Sequence, residues 1–351
     1  MLKLQRETYR PLGNTGLHVP PIVFGCSALG NLYRVIPDVA KLEIVSAWFD
    51  HVSPPVFVDT AGKYGAGLAL EVLGRSLAKF EIPQGDVLIS SKLGWKRAPL
   101  TTPEPTFEPG VWQDIEHDAV QRISYDGILE CYDESCQLLG SPYRPQLVSV
   151  HDPDEYLAAA SPADRAQRFD DIVAAYRALA ELKHSGQVVG VGVGAKDWRV
   201  IEEIAAAVPL DWVMLANSLT VMRHPPELVE FVARLVERGV GIINSAVFHA
   251  GFLVGGKYFD YRVVDANNDA DRPLFAWRKS FVAICEAHGV SPLDACVQFG
   301  LSVPGVVAVA LNTSHADRIP ENVAAVSTPM PPQFWASLQE EGLLANDYPY
   351  V

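Results

Sequence analysis

Four ionisable side chains in this chain have the types and positions for proton chemistry: Asp59, Tyr64, Lys92 and His151. The first and second fall in Phe57 to Gly65, FVDTAGKYG, where the apolar run PPVFV delivers a carboxylate and, five residues later, a phenol. Gly62, Gly65 and Gly67 around them permit tight turns and close approach of a ligand to backbone. Alone, that stretch reads equally well as a strand, an Asp-Thr turn and a surface tyrosine. Lys92 closes the run ISSK and His151 closes LVSVH. Each alone is a solvated strand-end lysine or a capping histidine.

Together the four suit hydride transfer to or from a carbonyl carbon. The substrate oxygen then needs a proton donor in one direction and an acceptor in the other. A phenol with a pKa of about 10 does this poorly unless its ionised form is favoured. A buried ammonium beside it favours phenolate, and a carboxylate keeps that ammonium charged and placed. An imidazole donating to the same oxygen orients the substrate and steadies developing negative charge.

Such a site needs elements that bring distant residues to one place. Short β-branched runs alternate with helical patterns along nearly the whole chain, the mark of a parallel sheet. The expected strands are Pro21 to Gly25, Val56 to Asp59, Asp86 to Lys92, Leu147 to His151, Val188 to Val193, Trp212 to Ala216, Val240 to Asn244 and Val306 to Ala310. Most are continuously apolar, as expected for strands covered on both faces. Helices are expected at Val39 to Asp50, Leu68 to Lys79, Asp114 to Leu139, Phe169 to His184, Trp198 to Ala207, Pro226 to Arg238, Leu274 to His288 and Pro292 to Leu301, with a further one at Ala316 to Val326. Eight βα units without a composition break predict one (β/α)8 TIM barrel over residues 1–351 rather than two domains. In such a barrel the ends of the second, third and fourth strands lie side by side, so Asp59, Tyr64, Lys92 and His151 converge.

Two insertions are expected as loops, Lys96 to Gly110 and Tyr258 to Arg272. The run Gly190-Val-Gly192-Val-Gly194-Ala195 matches a dinucleotide-binding fingerprint, with Asp211 about twenty residues on. It falls fifth among eight strands, with Gly190 and Gly192 inside the apolar run, which disfavours that reading. The expectation is that these glycines let a ligand lie against the strand end.

Bulk properties bound the function class. The chain has 351 residues, 49% hydrophobic and 20% charged, with a formal net charge of −14. That acidic balance argues against nucleic-acid or anionic-membrane partners and leaves a small-molecule substrate. The five cysteines, Cys26, Cys131, Cys136, Cys285 and Cys296, have no C-x-x-C spacing, so neither a disulfide framework nor a metal site is indicated. The N-terminus lacks a signal-peptide apolar region and no stretch suffices for a membrane span, so a cytoplasmic protein is expected. Oligomeric state is not legible.

FVDTAGKYG, ISSKLGW, LVSVHDPD and VALNTSHADRIPENVAA resemble the corresponding segments of the aldo-keto reductase superfamily. The similarity runs from YRPLGNTGLHVPPIVFG almost to the end of the chain. PLGNTGL, VDTAGKYG, HDPD and GVGVG resemble the branch of sugar dehydrogenases acting on L-fucose, L-galactose and related aldoses. The resemblance implies an N-terminal β-hairpin capping the barrel and a catalytic tetrad at Asp59, Tyr64, Lys92 and His151. It also implies an extended nicotinamide cofactor across the mouth. Carried over, Gly25, Cys26 and Asp59 line the nicotinamide end. Where the superfamily has a serine-asparagine pair and a glutamine for the carboxamide, this chain has Gly194, Ala195, Lys196 and nearby Asn217. Asn244, Ser245 and Phe248 fall where the ribose and pyrophosphate are wrapped. Asn312, Thr313, Arg318, Glu321 and Asn322 fall at the adenosine end. Asn312 stands where NADP-using members carry a lysine, which tilts the expectation to NAD, with NADP possible. Substrate contacts are expected from Tyr64, His151, Trp95 and His249, with Lys96, Trp112 and Tyr258 as further loop candidates.

The activity implied is oxidation of an aldose at C1 to the lactone. The same groups serve an aldehyde or ketone reductase in reverse. A cofactor-binding regulatory subunit is the alternative of another class, and a metal-dependent barrel lyase is weakened by the lack of clustered carboxylates and histidines.

Overall fold

The computed structural model describes residues 3–260 and 262–351. An antiparallel hairpin, β1 (Arg10–Pro11) and β2 (His18–Val19), leads into β3 (Ile22–Gly25). Then follow α1 (Asp38–His51), β4 (Val56–Ala61), α2 (Leu68–Lys79), β5 (Val87–Leu93), β6 (Trp95–Pro99), β7 (His117–Gln121), α3 (Tyr125–Leu139) and β8 (Leu147–His151). The second half carries α4 (Pro153–Ala158), α5 (Arg165–His184), β9 (Gly190–Ala195), α6 (Trp198–Ala207), β10 (Trp212–Ala216), α7 (Pro226–Glu237) and β11 (Gly241–Ser245). It ends with β12 (Tyr258–Phe259), β13 (Arg262–Val263), α8 (Arg272–Ala287), α9 (Pro292–Gly300), β14 (Val306–Leu311), α10 (Ile319–Ala325) and α11 (Pro332–Glu340).

Strands β3, β4, β5, β8, β9, β10, β11 and β14 pair in that order and close into a parallel barrel. These are the eight strands expected from the sequence. Period two along each strand sorts side chains between the barrel interior and the helix layer. The interior holds Val23, Phe57, Leu88, Leu147, Trp212, Met214, Ile243 and Ala308, plugged from below by Leu12 and Val19 of the hairpin. The next inward positions along β4, β5 and β8 are Asp59, Ser90 with Lys92, and Ser149 with His151. One end of the lumen is therefore apolar and closed, and the other polar. The outward positions pack against the helices in a second, larger core.

The glycine run of β9 serves this packing. A Cβ on Gly192 would lie 2.3 Å from the Trp212 ring, and one on Gly190 would lie 2.8 Å from Leu147 Cδ2. These two glycines make room for the interior side chains Trp212 and Leu147, not for a ligand. The dinucleotide-fingerprint reading fails because the run is a staved strand of a closed barrel.

The third βα connection differs from expectation. The expected helix Asp114 to Leu139 is a strand followed by a shorter helix: β7 pairs antiparallel with β6, and α3 begins at Tyr125. Ser124 caps α3, its side chain accepting from the Gly127 amide at 3.1 Å. The expected Lys96 to Gly110 loop therefore starts as one arm of a hairpin. Its intervening loop packs as a small separate cluster of Ala66, Phe107, Trp112, Ile115 and Ala119 beside the polar end of the barrel. The Tyr258 to Arg272 insertion, position 261 lying outside the described residues, carries the β12–β13 pair. The expected Ala316 to Val326 helix divides into a 3-10 turn, Ala316–Arg318, and α10.

Candidate active site

The polar barrel end gathers the four sequence-predicted residues. Asp59, Lys92 and His151 are 3%, 6% and 4% exposed, and Tyr64 is half-buried above them. The Lys92 ammonium pairs with Asp59 Oδ2 and donates to Tyr64 Oη at 3.1 Å. The imidazole of His151 meets the Tyr64 ring edge-on, with centroids 5.5 Å apart. Burial alone would discharge Lys92, but Asp59 and Tyr64 outweigh it and hold the group above the ordinary lysine range. Burial, then the charges of Lys63 and Lys92, hold His151 well below the usual histidine range, with Glu155 opposing. The site therefore presents a charged ammonium, a phenol and a neutral imidazole. The ammonium stabilises negative charge on the phenol oxygen, so Tyr64 can exchange a proton with a substrate oxygen. The Nδ1 atom of His151 is buried with no hydrogen-bond partner among the described residues.

Backbone contact fixes the Tyr64 turn. A Cβ on Gly30 would sit 2.8 Å from the Tyr64 carbonyl oxygen, and Gly65, at φ +63, leaves no room for one against Gly30. Gly30 lies outside every motif, so its role was not readable.

The cofactor candidates separate into groups. Gly25, paired in register with Asp59, borders the site, and a Cβ there would meet Asn312 at 3.2 Å. Cys26 is fully buried, and burial pushes its thiol far up, so it is an inert wall. Gly194 borders the Lys92 stem, where a Cβ would lie 3.5 Å from Cε. Asn217 adopts φ 59 at the end of β10, and its buried Oδ1 lacks a partner among the described residues. An orphaned amide oxygen there fits the donor of a carboxamide. The Ser245 hydroxyl donates to Leu215 O at 2.9 Å, and Phe248 packs against the outer core. Asn244 goes elsewhere: it is fully buried and its amide donates to Leu219 O at 2.8 Å and Gly300 O at 3.1 Å, in the helix layer. Strand parity explains this, because Ile243 and Ser245 take the inward positions.

At the rim, Asn312 Oδ1 accepts from the Ala28 amide at 3.4 Å, and Thr313 Oγ1 accepts from the His315 amide at 3.2 Å. Arg318 and Glu321 are exposed, while Asn322 is buried. Sequence reasoning missed Arg34, which pairs with the Ser314 hydroxyl and reaches His315 Nε2 at 2.8 Å. No motif marked it.

Among the substrate candidates, Trp95 and Trp112 line the mouth. The Trp95 indole nitrogen is buried without a partner among the described residues, and Trp112 lies 5.8 Å from the Tyr64 ring. His249 is not brought there. It is fully buried and stacked on Phe259, with one ring nitrogen 2.8 Å from Thr220 Oγ1 and the other 2.7 Å from Asp260 Oδ1. Lys96 pairs with Glu130, and Tyr258 stacks on Tyr33 at 4.5 Å.

A family model described as the aldo/keto reductase family matches residues 21–341. The chain belongs to the aldo/keto reductase family. Pyridoxal 4-dehydrogenase of Microbacterium luteolum is 28% identical, over 98% of this chain and 100% of that protein. D-threo-aldose 1-dehydrogenase of a Pseudomonas species is 27% identical over 94% and 96%, and L-galactose dehydrogenase of Arabidopsis thaliana 22% over 91% and 88%. Two solved structures share the fold. An aldo-keto reductase of Bacillus halodurans in its holo form has a TM-score of 0.68 at 21% identity, covering 98% of this chain and 97% of that one. Glycerol dehydrogenase of Gluconobacter oxydans has a TM-score of 0.69 at 16% identity, covering 99% and 100%. The chain is thus an aldo/keto reductase family oxidoreductase, a family of nicotinamide-dependent enzymes acting on small carbonyl compounds. Among the described residues no helix is long and apolar enough to cross a membrane, and no acidic, histidine or cysteine group is arranged to hold a metal ion.

Proposed function

We propose that this enzyme oxidises a hydroxy-aldehyde in its cyclic hemiacetal form, an aldose of the L-fucose or L-galactose type, at the former carbonyl carbon to give a lactone. The observation that carries the reading is the buried Asp59–Lys92–Tyr64 string beside a neutral His151. Tyr64 Oη takes the hemiacetal hydroxyl proton while the carbon–oxygen bond becomes a carbonyl. The hydrogen on that carbon leaves as hydride, and a bound nicotinamide supplies its acceptor. Lys92 stabilises the phenolate form that takes the proton, Asp59 fixes Lys92, and His151 hydrogen-bonds the reacting oxygen. The named dehydrogenase relatives act on pyridoxal, D-threo-aldoses and L-galactose, each an aldehyde with a hydroxyl able to close a ring.

Gly25, Asn217, Ser245, Asn312, Thr313 and Arg318 would hold the dinucleotide. Asn312 removes a charge that favours a 2′-phosphate, but Arg34 brings a guanidinium to the same loop. Both NAD and NADP are therefore accepted, in this reading. The test incubates the protein with each cofactor and L-fucose, L-galactose and pyridoxal, following reduced-nicotinamide absorbance. Silence across this panel, with reduction of a simple aldehyde by reduced cofactor, would replace the dehydrogenase reading with a reductase.

A further inference from the structure

A second buried ammonium stands beside the mouth, outside the Asp59–Lys92–Tyr64 string. Lys63 immediately precedes Tyr64 and is 3% exposed. Its Nζ lies 2.7 Å from Glu108 Oε1, 3.2 Å from Asp152 Oδ2 and 3.3 Å from Glu155 Oε2, and 5.2 Å from the Trp95 ring centroid. These carboxylates come from three places: the β6–β7 loop, the residue after His151, and α4. The net effect of burial and three carboxylates is to hold Lys63 above the ordinary lysine range.

Glu108 links that ammonium to an aromatic wall. Its second oxygen accepts from the Trp112 indole nitrogen at 2.8 Å. Trp112 in turn faces the Tyr64 ring at 5.8 Å and stacks with Phe107 at 6.5 Å. One carboxylate therefore ties the β6–β7 loop to the residue next to Tyr64 and sets the indole that borders the reacting phenol. The loop is otherwise held by its small apolar cluster and by backbone bonds to the segment after β3, where the Tyr33 amide donates to Val111 O at 2.7 Å and the Gln113 amide to Asn31 O at 3.1 Å. Those backbone bonds hold residues 111–113 on the β3 side, and the Lys63–Glu108 pair adds the tie on the Tyr64 side.

We propose that Lys63 and Glu108 are positioning residues: their ion pair latches the β6–β7 loop against the mouth and holds Trp112 as a wall of the substrate pocket. This rests on the mouth being the active site of the proposed oxidation. The pair is also separable by substitution. Glu108→Gln removes the charge while keeping an amide oxygen for Trp112, and Asp152 with Glu155 still neutralise Lys63. The variant therefore does not strand a buried charge, the outcome that makes most such substitutions unfold a protein.

Two measurements on the full chain test it. Amide hydrogen exchange across residues 100–116 is expected to quicken about tenfold in Glu108→Gln, with the barrel strands unchanged. For whichever panel compound the unaltered enzyme oxidises, KM is expected to rise about tenfold with kcat changed by less than about threefold, because uniform binding is lost rather than proton transfer. Cofactor affinity, read by fluorescence quenching, stays the same. In a Lys63→Met background, Glu108→Gln is expected to add nothing further to loop exchange. Unchanged exchange in Glu108→Gln overturns the latch. Quickened exchange with unchanged KM overturns the substrate-pocket role. If no panel compound turns over, the proposed oxidation fails while the exchange result still decides the latch.

Discussion

The inner arc of β4, β5 and β8 and the rim loops after β11 and β14 both carry polar residues, yet only the arc fixes them rigidly. On the arc, period two determines which residues face inward, and parallel register sets adjacent strand ends at one level. Asp59, Lys92 and His151 arrive buried, with Lys92 held charged and His151 held neutral by what surrounds them. On the rim, Thr313, Arg34 and Arg318 are partly or wholly exposed; Thr313 bonds within its own loop, and Arg34 reaches across from the segment after β3 to Ser314 and His315. The arc is built for proton chemistry that tolerates little displacement. In the proposed function the rim would hold the dinucleotide by many modest contacts, each adjustable alone.

The sharpest break of this comparison is Tyr64→Phe. The phenol oxygen should be the proton carrier, so kcat should fall by about 10²- to 10⁴-fold. Dinucleotide affinity, which depends on the rim, should stay within about twofold of the unaltered value. Single-turnover rates and fluorescence titration check the two halves separately. A variant keeping near-normal turnover would remove Tyr64 from the chemistry.

The arc was legible in the sequence because strand ends can be aligned without knowing the loops. Continuous apolar runs hid the alternation, since outward residues are covered by helices as well. Applying parity would still have shown that Asn244, between inward Ile243 and Ser245, faces the helix layer. The same parity assigns Gly190 and Gly192 to the lumen, where Trp212 needs the space. Other features had no local signal. Gly30 matters through a contact with a distant backbone, and Lys63 sat inside the most informative motif without a visible partner. Its carboxylates, Glu108, Asp152 and Glu155, come from elsewhere in the chain. The β6–β7 hairpin was missed because the apolar spacing between Asp114 and Leu139 mixes two periods.

Asn244→Ala sharpens the line between the two regions. It removes two buried amide bonds and should lower unfolding stability by about 1–3 kcal/mol, measured by denaturant titration. Dinucleotide affinity should not change. A large loss of affinity in a stably folded variant would place Asn244 with the rim and break the parity argument.

Arg34→Met addresses the rim itself. NADP affinity should weaken about tenfold at low salt, with NAD affinity little altered, because the guanidinium is exposed and screened. Raising the ionic strength should shrink the difference. Equal loss for both cofactors would give Arg34 a role in holding the loop through Ser314 and His315 instead.

The smallest expected effect is a pH shift that couples the arc to its surroundings. The imidazole of His151 is depressed by burial first, then by Lys63 and Lys92, with Lys196 adding to the same direction and Glu155 opposing. Asp152, 3.6 Å from His151 Nε2, also faces it. Because the folded-state value lies below the ordinary one of about 6.5, the neutral ring is fully present above that pH. Its contribution is lost only as pH falls well below. Lys63→Met removes one cation, so the depression lessens and the acid limb of kcat/KM should move to higher pH. Lys92 remains charged throughout this range, so the limb reports His151 rather than the phenol's partner. A limb that stays in place, or moves to lower pH, would mean that Lys63 acts on this site through the loop alone and not through its charge.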